Sequence, residues 1–227
     1  MNGIHHGISL RLEKLDFNSI YPGFHPFRFA IYDDKKVCFG ESEIPWDSRF
    51  VGNTAIDYNG EIIAIWNMKC ACTDMDIFAS LLVHEMLHAY QREIGTVYPD
   101  DLIGAFYPRD LRNFTLRLRE NRLLAGLAEK FDTVAWADFK AIRAYRLQQY
   151  PEAVDYEIKT ESVEGGAQFV ELGALMQLSP DLYRRRLDRI LAGLRSHAKI
   201  FDARLLSYDT GSIIRMVLRD NNLNQPD

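Results

Sequence analysis

Only three cysteines occur in the 227 residues: Cys38, Cys70 and Cys72. The count is odd and a single alanine separates the last two, so a disulfide scaffold is excluded and reduced thiols in a cytosolic protein are expected. Cys70 and Cys72 offer two thiolates to a metal, but no second cysteine pair exists to complete such a site. Long apolar runs are also missing, and none approaches the length that crosses a bilayer. The N-terminal MNGIHHGISLRLEKLDF has no apolar core after a basic start, so no secretory signal is expected there. His5 and His6 fall in this stretch, which reads as a flexible end without a role. Positive charge is not in excess. A formal net charge of −5 argues against a general nucleic-acid binder, which needs a basic surface to displace counterions. No glycine-rich phosphate loop and no serine or cysteine nucleophile signature stands out.

What is present is the composition of an ordinary soluble globular protein, 47% hydrophobic and 26% charged, long enough for one substantial domain. The first seventy residues read as β-rich. FRFAIY (27–32) and KVCFG (36–40) flank Asp33-Asp34-Lys35. FVGNTAIDY (50–58) and EIIAIWN (61–67) flank Asn59-Gly60, a strong two-residue hairpin signal. After Thr73 the periodicity becomes helical, over 75–93, 110–130, 134–149, 154–178, 180–201 and 208–220. Strands followed by helices imply an α+β fold. An antiparallel or mixed N-terminal sheet (1–72) should pack on the first long helix, followed by a mostly helical part (73–227), within one catalytic domain.

The chemistry concentrates in LLVHEMLHAY (81–90). Thr73 or Asp74 can cap a helix running to about Glu93, with Gly95 as its stop signal. His84 and His88 are four residues apart, so both imidazoles leave one face toward a common point. Glu85 is rotated by about 100° from His84 and stands beside that point. Two neutral imidazoles can hold Zn²⁺ while the neighbouring carboxylate takes a proton from an attacking water. The rest of the helix is apolar on nearly every side, which predicts burial. Buried imidazoles and a carboxylate without partners are costly, and a metal removes that cost.

A tetrahedral catalytic site needs a third protein ligand and an open position. TESVEGGAQFVELGAL (160–175) reads as a helix with Glu164, Gln168 and Glu171 on one stripe. Glu164 is the candidate ligand, with Gln168 or Glu171 orienting a ligating histidine. Glu157 and Glu161 belong to the same run. Gly165 and Gly166 each cost about 1 kcal/mol inside a helix relative to alanine, and close approach of a neighbouring helix would justify them.

HEMLH followed by VEGGAQFVE resembles the gluzincin metallopeptidases, a superfamily related to the zinc aminopeptidases. Glu164, Gly165, Ala167, Phe169 and Glu171 match its second motif. YDTGSIIRMVL (208–218) is similar to its Tyr-any-any-Gly element at the head of a later helix. The resemblance implies a zincin-like fold and a zinc-dependent peptidase acting on peptides or proteins, with His84, His88 and Glu164 as ligands and Glu85 as general base. Tyr208 inherits the role of oxyanion donor by resemblance, and Arg204 and Arg215 flank it. The strand EIIAIWN becomes a candidate edge for pairing with an extended peptide. It lacks the Gly-Ala-Met-Glu-Asn signature of the aminopeptidases, and 76 residues separate His88 from Glu164. HEMLHAYQ also resembles SprT-like metalloproteases, which would make His197, with Phe201 four residues on, the third ligand of a regulatory protease. A non-catalytic zinc-stabilised interaction module is a further alternative. The basic runs at 184–189 and at Arg112, Arg117, Arg119 and Arg122 read as solvated helix faces.

Overall fold

A computed structural model describes residues 1–223. The fold is α+β. Five strands, β1 (Phe29–Tyr32), β2 (Lys36–Cys38), β3 (Glu43–Pro45), β4 (Thr54–Tyr58) and β5 (Glu61–Asn67), form one sheet in the order β3-β2-β1-β5-β4. It is mixed, because β1 and β5 run parallel while the other pairs are antiparallel. Both expected hairpins form. Tyr58 pairs with Glu61 across Asn59 and Gly60, whose φ values of 54° and 84° suit the twist of a two-residue turn. The β1–β2 turn is closed by the Asp33 carboxylate, which accepts the backbone N–H groups of Lys35 at 2.8 Å and Lys36 at 2.9 Å.

The expectation that 61–67 forms a sheet edge is corrected. β5 lies between β1 and β4, with Phe29 opposite Ala64 and Tyr32 opposite Asn67. A strand buried on both faces reads as a continuous apolar run, which is what Ile62 to Trp66 present. The edges are β3 and β4. Side chains alternate across the sheet: Ala30, Tyr32, Ile63 and Ile65 join Val37 and Phe50 in one core cluster, while Phe29 and Trp66 point to the helical side.

The chain divides into two compact units, Met1–Thr96 with Val170–Arg185, and Val97–Phe169 with Arg186 onward. In the first, α1 (Asn2–Leu12) and a short α2 (Phe17–Ile20) precede the sheet, and α3 (Met75–Glu93) follows it. Asp74 caps α3 by accepting from Asp76 and Ile77 N–H at 2.9 and 3.1 Å, and Gly95 ends it with φ 71°. Trp66 of β5 packs on Phe78 of α3, with ring centroids 5.6 Å apart. The flexible N-terminal end is corrected to a helix. His5 is buried on α1 and stacks on Phe29 at 4.0 Å. Arg11 reaches Asp76 at 2.6 Å and ties α1 to α3.

The second unit contains α4 (Asp101–Ala105), α5 (Leu111–Glu129), α6 (Thr133–Gln149), α7 (Pro151–Thr160) and α10 (Ala203–Asp220). A π turn, Glu161–Gly165, joins α7 without a break to α8 (Gly166–Leu178), and α9 (Pro180–Arg195) follows. Asp110, Asp132 and Asp202 cap α5, α6 and α10 through the N–H groups of Asn113, Ala135 and Leu205, the usual way to satisfy an orphan donor at a helix start. Arg117 corrects the reading of the α5 arginines as a solvated face. It is 1% exposed, whereas Arg112, Arg119 and Arg122 are exposed. Arg117 belongs to a buried cluster. In it Arg146 donates to Glu120 at 2.5 Å and to Glu157 at 2.7 Å, and Arg143 grips Glu161 at 2.5 and 3.0 Å.

Candidate metal centre

On α3 the four-residue spacing brings the His84 and His88 rings together, with centroids 5.1 Å apart. His84, Glu85 and His88 are all buried. Each imidazole is held from its Nδ1 side. His84 Nδ1 stands 3.3 Å from a Glu171 carboxylate oxygen on α8, and His88 Nδ1 stands 2.8 Å from the Gln91 amide oxygen. Both partners accept, so Nδ1 carries the proton and Nε2 keeps its lone pair for a metal. The orienting role expected of Glu171 therefore has its geometry. Gln91 was missed, although a glutamine three residues after His88 lies on the same helix face and could have signalled it. The alternative orienting residue, Gln168, is engaged elsewhere: its amide donates to Asp209 and Ser212, both at 3.1 Å.

Glu164 sits in the π turn and is buried. Two side chains of α10 hold its carboxylate. Arg204 donates to Oε1 at 2.6 Å, and the Tyr208 hydroxyl is hydrogen-bonded to it. Burial, then the Glu164 charge, pushes the Tyr208 phenol well above its usual range, so at neutral pH it is a proton donor. Tyr208 lies within the second turn of α10, not at the head of a helix as expected, because the helix begins at Ala203 behind the Asp202 cap. The close helix approach expected at the glycine pair occurs at Gly165. A Cβ there would stand 2.5 Å from the Gly211 Cα, and a Cβ on Gly211 would stand 2.5 Å from the Glu161 carbonyl oxygen. Two backbones in contact leave room for no side chain at either position. Arg215 donates to the Ser162 carbonyl at 3.1 Å.

His84, His88 and Glu164 each offer a ligand atom within 4.8 Å of the other two, the one such cluster of histidine, cysteine and acidic side chains among the described residues. Two imidazoles and a carboxylate suit a borderline cation such as zinc, and three protein ligands leave a fourth position open for water or substrate. The donor set therefore fits the expected group. His197 lies exposed in the turn after α9, and Cys70 and Cys72 are free thiols. None of the three belongs to a metal-competent cluster among the described residues. No described helix is long and apolar enough to cross a membrane. Neither a protein-family description, nor a curated protein, nor a solved structure matches the chain.

Proposed function

We propose that the chain is a zinc-dependent metallopeptidase of gluzincin type, with His84, His88 and Glu164 as the metal ligands. The observation that carries this reading is the convergence of those three side chains with a carboxylate, Glu85, one position along the helix from a ligating histidine. Bound zinc polarises a carbonyl and lowers the pKa of its water to about 7. Glu85 accepts the proton of the attacking water and passes it to the leaving amine. Tyr208, held protonated beside Glu164, donates to the oxyanion that develops on the scissile carbonyl. Nδ1 contacts from Glu171 and Gln91 keep both imidazoles in the ligating tautomer. With β5 inside the sheet, β4 is the edge against which an extended peptide pairs. The substrate is a peptide or protein, and the three free thiols suit a reducing, cytoplasmic setting.

Purified protein should carry about one zinc per chain, and His84→Ala should lose it. Glu85→Gln should retain the metal while cleavage of a peptide library drops by about 10²- to 10⁴-fold, the scale of general acid–base catalysis. Metal-free wild-type protein that takes up no added zinc would refute the reading. Metal binding without cleavage of any peptide would leave only a zinc-stabilised module.

A further inference from the structure

Spacing alone puts Glu157, Glu161 and Glu164 on one stripe of an α-helix, yet they do not share surroundings. Glu157 and Glu161 meet the buried arginines of α5 and α6, whereas Glu164 meets Arg204 and Tyr208 of α10. The π turn, which begins at Glu161 and contains Glu164, shifts the helix phase between them. One extra residue in a turn rotates the helix before it by about 100° relative to the helix after it.

That turn is held by contacts that do not touch Glu164. The Glu161 carboxylate takes both Arg143 donors, at 2.5 and 3.0 Å, and the Thr210 hydroxyl at 2.6 Å. Its backbone is pressed against α10 at Gly211, and Arg215 takes up the Ser162 carbonyl. Thr210, Gly211 and Arg215 on α10 hold the turn, and Arg204 and Tyr208 of the same helix hold the carboxylate. π turns recur at functional sites because they re-aim a side chain at the cost of regular helix bonds.

We infer that Arg143 and Thr210, acting through Glu161, are positioning residues that lock the π turn and thereby fix the direction in which Glu164 presents its carboxylate. The inference rests on Glu164 being a metal ligand. Thr210→Val keeps the shape and removes the hydroxyl that grips Glu161, and Thr210→Ser restores it. Zinc affinity is measured by chelator competition, the visible spectrum of bound Co²⁺ reports ligand geometry, and the melting temperature of the metal-free protein reports folding. Thr210→Val should bind zinc about ten-fold more weakly, the lower end for loss of an outer-shell contact, with an altered cobalt spectrum and a nearly unchanged metal-free melt. Thr210→Ser should return both to wild type. Should Thr210→Val fold poorly, Arg143→Lys, which keeps the charge and loses the paired grip, carries the same expectations. A wild-type cobalt spectrum with zinc affinity within two-fold would overturn this inference alone, as would a loss that serine does not rescue. Wild-type protein that binds neither metal would overturn the metal reading as well.

Discussion

The chain buries charge in two places and treats it in opposite ways. Around α5, α6 and α7 three guanidiniums, Arg117, Arg143 and Arg146, face three carboxylates, Glu120, Glu157 and Glu161. The set is closed, with as many positive as negative charges. Even so, burial is felt. Desolvation would raise the Glu157 carboxyl, but Arg117 and Arg146 outweigh it and hold the group at about 2. For Glu120 burial wins over Arg143 and Arg146, and its pKa is raised. On α3, by contrast, Glu85 and the partner carboxylate Glu171 are accompanied by imidazoles that are neutral unless protonated. The difference separates two uses of buried charge: the closed cluster holds helices in place, whereas the open one fits the metal site we propose.

The comparison predicts where mutation unfolds the protein and where it only empties a site. Arg146→Met takes from Glu120 and Glu157 the guanidinium closest to each, in a place where both are fully buried. Breaking a buried pair from one side costs about 3–5 kcal/mol, so urea unfolding should shift by that amount. In metal-free protein His84→Ala should cost clearly less, because the contact it gives up to Glu171 is a long 3.3 Å. Equal losses for the two variants would break the distinction between a closed and an open cluster.

The same contrast explains what could be read in the sequence. α3 was legible to its ends, because capping by Asp74, the stop at Gly95 and the His-Glu-His spacing are local signals. The Asn59-Gly60 hairpin was legible for the same reason. The arginine cluster was not. Arg117 and Arg122 look alike along α5, and the groups that receive Arg117 in the interior, Glu157, Ala203 and Ser207, lie forty or more residues away. The sequence does not show β5 to be internal, because its parallel partner β1 is set by tertiary packing. α1 carries Gly3, Gly7 and two histidines and has weak intrinsic helicity. It is held by contacts to Phe29 and Asp76 that no local pattern shows. The π turn is invisible to any reading that assumes a constant period, so the acidic stripe looked single when it is divided.

A smaller effect sharpens the account of the open cluster. Gln91→Leu keeps the volume beside His88 but removes the acceptor for its Nδ1 proton, now at 2.8 Å. Zinc affinity should fall by about 10- to 100-fold, with little change in the melt of metal-free protein, since a neutral hydrogen bond contributes about 1 kcal/mol. Chelator competition against wild type measures it. An unchanged affinity would mean that the imidazole is oriented by packing and that Gln91 is incidental.

The smallest predicted effect concerns a third buried polar group, which serves neither cluster. His5 stacks on Phe29, and its Nε2 lies 3.4 Å from the Phe29 carbonyl oxygen. Burial holds its pKa below the ordinary value of about 6.5; the carbonyl opposes this, and the neighbouring His6 adds to it. The folded state therefore binds the proton less readily than the unfolded chain. The stability His5 contributes is fully present above about pH 6.5 and is lost as pH falls through its lower folded value. In metal-free protein the urea midpoint should drop between pH 7.5 and 5.5. His5→Phe, which preserves the stack and cannot titrate, should drop less. An identical decline in the two proteins would mean that His5 does not carry the pH dependence.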